Sequence, residues 1–189
     1  MDGPVRELFD RIAPFAEATP PDLARIGESL VELSRDHDYL TDRIGRIRDV
    51  SGPDGLHVPE DGVRLLLVHR NEGEMSPAHD HGVWVVLAPV LGIETHRRFR
   101  PRSPIDRAQL ELVEEQALRP STYVTLMPPD DIHDHGHLTG RGDPAYVLIL
   151  LGGNQFTRRR TEWDLASGRA RTLEPGDRGR WVTTTPIAG

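Results

Sequence analysis

The sequence predicts an all-β core, an antiparallel sandwich or barrel, with a short helical segment in front of it. Two observations carry this reading. Short apolar runs at 63–69, 83–91, 93–99, 110–116, 122–126, 145–151, 156–165 and 170–173 follow one another with no stretch of helical period between them, the pattern of antiparallel rather than parallel sheets. The first 35 residues instead place apolar side chains three and four apart, on one face of a helix.

Val5, Leu8, Phe9, Ile12 and Phe15 form the apolar stripe of a first helix within 5–17, and Thr19-Pro20-Pro21-Asp22 ends it. Asp22 then offers an N-cap for a second helix over 22–35, with Leu23, Ile26, Leu30 and Leu33 on its stripe. This pair either covers one end of the β-core or serves as an arm between subunits. The β-region begins near Asp42, with Gly52-Pro53-Asp54-Gly55 and Glu60-Asp61-Gly62 as turn signals. Residues 100–109 read as an exposed loop, 166–169 as a hairpin turn, and the tail after Trp181 as loosely held. Residues 1–50 are thus a helical lead-in packed on the core and 51–183 a β-barrel, one structural domain overall.

Composition removes several classes of chemistry. The chain has 189 residues, 37% of them hydrophobic and 28% charged, with no apolar run long enough to span a membrane. Residues 1–19 are acidic and interrupted by Pro14, unlike a signal peptide, so the expected location is cytoplasmic. A net charge of -7 argues against nucleic acid as a partner. The absence of cysteine excludes disulfides and thiolate nucleophiles, and all 23 basic residues are arginine, which excludes a Schiff-base lysine. Histidine, carboxylate, hydroxyl or a metal must do the work.

Five of the nine histidines lie in two places. His79 and His81 are one residue apart and share a face if the segment is a strand; His133, His135 and His137 follow about fifty residues on. Two imidazoles on one face are half a metal site, and the second cluster can supply the rest. Gly73, His79, His81, Val85 and Gly92 repeat the spacing of the first cupin motif, with valine where most cupins have a glutamate ligand. Pro128-Pro129-Asp130-Asp131-Ile132-His133 is similar to the second, with Asp130 at its usual glycine. More narrowly, PAHDHGVW at 77–84 followed by LGIETHRRF at 91–99 resembles the cysteine dioxygenase superfamily, closest to its bacterial 3-mercaptopropionate dioxygenase-like branch. The match spans roughly residues 63–163.

The resemblance implies a double-stranded β-helix in which His79, His81 and His133 bind ferrous iron, with manganese, nickel or zinc as alternatives. A small thiol, 3-mercaptopropionate- or cysteine-like, would be oxidised by O2 to its sulfinate by a monomer or homodimer that uses neither nucleic acid nor membrane. Three neutral ligands leave the ion its full charge and open positions for an anionic chelating substrate. Arg43 best matches the family's carboxylate-holding arginine, with Arg46, Arg64 and Arg70 also open. Trp84 is pocket wall or core, and His135 and His137 are outer-sphere or solvated. Asp80 and Asp134 flank the ligands, with orientation of an imidazole N–H as their best role. With Gly152 and Asn154 aligned to the family, its Ser-His-Tyr set is replaced by aliphatic residues of 145–151, so Tyr146 or Tyr123 would have to supply a hydroxyl. Arg158-Arg159-Arg160 read as a solvated edge strand or a phosphate site. Two further readings stand beside thiol oxidation: a cupin metalloenzyme of another reaction class acting on a small non-thiol chelating acid, and a non-catalytic metal-dependent binding cupin.

Overall fold

The computed structural model describes residues 1–47, 52–103, 109–138, 142–179 and 183–184. Three helices come first: α1 (Gly3–Ala16), α2 (Leu23–Ser34) and α3 (His37–Ile47). The Asp22 carboxylate accepts the Arg25 amide at 3.2 Å and starts α2 as an N-cap. The third helix corrects the expectation that the β-region begins near Asp42. Asp36 caps it by accepting the Tyr39 amide at 3.1 Å, and only Leu40 and Ile47 are buried along it, too thin a stripe to register as a helical period.

The strands are β1 (Gly52–His57), β2 (Arg64–Arg70), β3 (Glu74–Met75), β4 (Ala78–His79), β5 (Val85–Leu91), β6 (Glu94–Pro101), β7 (Leu110–Leu118), β8 (Val124–Leu126), β9 (His133–Gly136), β10 (Ala145–Leu151), β11 (Arg160–Asp164), β12 (Arg169–Leu173) and β13 (Thr183–Thr184). One antiparallel sheet runs β1-β2-β10-β5-β8; the other runs β12-β11-β4-β9-β3-β13, with β6 on β9 and β7 on β6. Gly52-Pro53-Asp54-Gly55, read as a turn, is strand β1, because an edge strand with a single neighbour tolerates proline. The expected loop over 100–109 begins only after β6, and 104–108 lie outside the described residues, as do Trp181 and the last five residues. The turn at 166–169 joins β11 to β12 as expected, with the Asp164 carboxylate accepting the Ala166 and Ser167 amides at 3.0 and 3.3 Å.

Strand alternation gives the five-stranded sheet two apolar faces. Leu66, Val68, Val85, Leu87, Val147 and Ile149 lie on the inner one. Leu65, Leu67, Val86, Ala88, Leu148 and Leu150 lie on the outer one, where Val5, Leu8 and Ile12 of α1 and Ile26 and Leu30 of α2 cover them. The helices therefore blanket a sheet face rather than cap an end of the barrel. This explains why β2 and β10 are buried along their whole length and read as continuous apolar runs, as strands covered on both sides do. Two glycines set the packing. Gly92 turns β5 into β6 at φ +79°, where a Cβ would lie 2.9 Å from Ala145 Cα. Gly152 donates its amide to the Trp84 carbonyl at 2.8 Å, and a Cβ there would strike the Trp84 ring at 2.3 Å.

The inner faces of the two sheets enclose a cavity, lined from β2, β5 and β10 on one side and from β4, β9, β11 and β12 on the other. That arrangement is a double-stranded β-helix.

Candidate metal centre

His79 ends β4, His133 begins β9, and the two are direct partners in the antiparallel ladder. His81 follows in the turn after β4, where the Asp131 carboxylate accepts the amides of His81 and Gly82 at 2.9 and 3.0 Å. Strand pairing and this carboxylate thus bring residues 79, 81 and 133 together. Their ring centroids are 4.6 Å (79–81), 4.7 Å (79–133) and 5.1 Å (81–133) apart, and one nitrogen from each lies within 4.8 Å of the others.

The hydrogen bonds fix which nitrogens are free. His79 Nδ1 donates to the Pro77 carbonyl at 2.8 Å, and His81 Nδ1 donates to Gln155 Oε1. Both Nε2 atoms therefore carry lone pairs. His81 Nε2 faces His133 Nε2 at 3.0 Å. If His133 Nδ1 donates to His96 Nε2, also at 3.0 Å, two lone pairs point at one another, which is repulsive unless a cation lies between them. Metal–imidazole bonds of about 2.0–2.1 Å meeting at right angles put their nitrogens about 3.0 Å apart. The donor set fits a divalent ion.

Burial, first among the causes, keeps all these rings neutral. His81 and His96 are pushed down to about 3, and His79 and His133 well below the usual imidazole range. In an unfolded chain each would titrate near about 6.5. Stability contributed by the neutral rings is thus full above about pH 6.5 and is lost as pH falls toward about 3, because only the unfolded chain takes up the protons. Thermal melts of metal-free protein are expected to drop steeply from about pH 7 to about pH 5, at up to about 1.4 kcal/mol per pH unit for each such histidine.

His96, unforeseen in the sequence, places its Nε2 3.0 Å from His133 Nδ1, where accepting that N–H would hold His133 in the tautomer that a ligand needs. It lies on β6 at the same strand phase as Glu94, both almost fully buried, and that alternation was the available signal. A His96→Phe variant is expected to bind metal roughly 10–100-fold more weakly while remaining folded, measured by competition with a chelator. His135 also faces the cavity. Its ring stacks on His133 at 5.4 Å, and its Nδ1 is 2.6 Å from Glu94 Oε1. His137 is buried rather than solvated, with Nδ1 2.7 Å from the Ile93 carbonyl and Nε2 beside the Asp143 carbonyl and the Glu72 carboxylate.

Several expected site residues lie elsewhere. Arg43 is on α3, paired with Asp2 and 5.5 Å over the Tyr39 ring; Arg46 pairs with Asp42. Arg64 donates to the carbonyls of Pro59 and Glu60. Trp84 and Tyr146 belong to the outer face under the helices, Tyr146 stacked on His69 at 4.9 Å. Strand phase explains both, since each is one residue out of step with the inward side chains. Tyr123 packs on Gly27 of α2. Asp80 accepts the Thr161 amide and Asp134 pairs bidentately with Arg97, so neither orients an imidazole through these contacts. Among the arginines it is Arg70 and Arg160 that line the cavity. Arg160 corrects the solvated-edge reading: β11 is an interior strand between β12 and β4, and its first residue points inward.

The rest of the cavity is mostly aliphatic, with Leu66, Val85, Leu87, Ile149, Leu151 and Leu173 as its wall. Its volume is about 40 Å³, and Leu66 and Leu151 separate it from an open groove of about 650 Å³.

No family model matches the chain, and no curated protein matches it in sequence. Among solved structures it is similar to the DMSP lyase DddQ from Ruegeria pomeroyi, at 15% identity and a TM-score of 0.43, over 71% of this chain and 56% of that one. It thus spans little more than half the lyase's length. It is also similar to the protein TT1209 from Thermus thermophilus (16% identity, TM-score 0.45, 60% and 93% of the two chains). A third likeness is to an RmlC-like cupin with a double-stranded β-helix fold from Methanocaldococcus jannaschii (17%, 0.41, 57% and 86%). Among the described residues, no helix is long and apolar enough to cross a membrane.

Proposed function

We propose that this protein is a mononuclear non-haem iron oxygenase of cysteine dioxygenase type, converting a small thiol acid to its sulfinate with O2. The observation that carries the reading is the set of three neutral, convergent imidazole nitrogens facing a small aliphatic cavity that also holds an arginine fork. Iron bound there would supply a Lewis-acidic, redox-active centre with positions open to a thiolate and to dioxygen. The chain's own groups do the rest. Gln155 and the Pro77 carbonyl fix the tautomers of His81 and His79. Arg160 supplies a planar donor fork suited to a carboxylate, and the aliphatic wall keeps bulk water out.

A second reading is favoured by Val147, Ile149 and Leu151, the inward residues of β10, which leave no hydroxyl or imidazole where thiol dioxygenases have their Ser-His-Tyr set. It is a cupin metalloenzyme of another class acting on a small non-thiol chelating acid. Anaerobic loading with ferrous iron, followed by oxygen-uptake recording with cysteine, 3-mercaptopropionate, cysteamine and mercaptolactate, separates the two. Uptake with a product heavier by two oxygens supports thiol oxidation. Stoichiometric iron without uptake supports the second reading.

A further inference from the structure

Two arginines line the cavity, and each carries buried side-chain donors that have no hydrogen-bond partner among the described residues. Arg70 is 1% exposed, and among the described residues neither its Nε nor its Nη1 has a hydrogen-bond partner. Arg160 is 5% exposed, donates Nη2 to the Asp177 carbonyl at 2.8 Å and leaves Nε without a partner. A guanidinium does not shed its proton in a protein, so both remain cations, and buried charged donors without acceptors are costly. Nearby carboxylates offset part of the charge. Glu94 and Glu74 act on Arg70 through space, as do Asp80, Asp177 and Glu162 on Arg160. Glu94 gives Oε1 to His135, and its Oε2 reaches no donor.

The two forks stand at different ends. Leu66 and Leu151 line both the cavity and the outer groove, so they mark the end nearest the groove. Arg160 lies at that end, 5.1 Å over the ring of Phe156, a groove residue. Arg70 is four residues along β2 from Leu66, about 13 Å of strand, beside Glu74 and Glu94.

The geometry points to a small substrate with two acidic groups, one held by Arg160 at the groove end and the other by Arg70 at the opposite end, with a chelating donor at the three histidines of the same cavity. The inference rests on reading the cavity as a metal-centred substrate site, yet the arginine pair can be probed with or without metal. Malonate and succinate differ from propionate and butyrate by one carboxylate in place of a methyl group. Calorimetric titration of metal-free and zinc-loaded protein with these four acids is expected to show each diacid binding at least about tenfold tighter than its monoacid counterpart. Arg70→Met is expected to bring the diacids down to the monoacid level while monoacid binding through Arg160 persists. Equal affinities in the unmodified protein, or a diacid preference that survives Arg70→Met, would overturn the proposal. Should Arg70→Met not fold, Arg70→Lys keeps the charge without the fork. It is expected to lose most of the preference, and full retention would equally overturn it. The two readings fail separately: a diacid preference in protein that takes up no metal removes the metal centre and leaves the arginine pair, whereas metal uptake with equal acid affinities does the reverse.

Discussion

His133→Ala is expected to yield a folded protein without stoichiometric metal, and His79→Ala and His81→Ala to do the same, while His135→Ala keeps a full equivalent. Residue 133 is the hub: its ring lies within about 5 Å of both other candidate ligands and is backed on its far side by His96. With any one imidazole gone, two remain, and two neutral nitrogens hold a divalent first-row ion too weakly to survive dialysis. His135 is different because its Nδ1 is engaged by Glu94 and it lies outside the convergent set. Metal analysis after dialysis, with circular dichroism to establish folding, decides the matter. A full equivalent retained by any of the first three variants would show that the ligand assignment is wrong.

Trp163→Ala is expected to produce the largest loss of stability, about 3–5 kcal/mol, which for a chain of this size lowers the melting temperature by roughly 10 °C. Trp163 is 1% exposed and packs in a satellite cluster with Ala78, Phe99 and Ile132. Two members of that cluster adjoin the site histidines in sequence, Ala78 before His79 and Ile132 before His133, and Trp163 pairs with Ala78 across β11 and β4. The indole thus fills the space behind the two strands that carry the candidate ligands. Truncation is expected to weaken metal binding together with stability. A melting temperature within about 2 °C of the unmodified protein would mean that the cluster carries far less of the fold than its burial implies.

Much of this could be read in the sequence, for identifiable reasons. Strands with both faces buried advertise themselves as apolar runs, and β10 lies where the run at 145–151 predicts it. The two-residue strands β3, β4 and β13 escaped because so few residues carry no periodicity, and their pairing is decided by neighbours distant in the chain. At the site, the spacing of His79 and His81 and the motif around His133 identify the histidines that converge. The supporting groups did not show in the same way. Asp131 reaches the His81 amide across fifty residues, and nothing distinguishes it locally from Asp130. Arg70 and Arg160 look like any of the other arginines until strand phase turns them inward. Trp84 and Tyr146 mislead for the converse reason: they stand beside the motif or the aligned strand in sequence, yet alternation sends them to the opposite face of the sheet.

The apolar character of β10 on both sides has a consequence for how the chain finds its own pairing. Sliding this strand by one position would exchange Val147, Ile149 and Leu151 for Tyr146, Leu148 and Leu150, chiefly aliphatic for aliphatic, so hydrophobicity alone scarcely resists the error. Discrimination falls to the two ends. At one, Tyr146 must find the His69 ring; at the other, only a residue without a side chain passes beneath Trp84. The middle of the strand supplies adhesion and the ends supply the address, so a single methyl group added at Gly152 would act less by lost contacts than by leaving the strand free to join the sheet out of step.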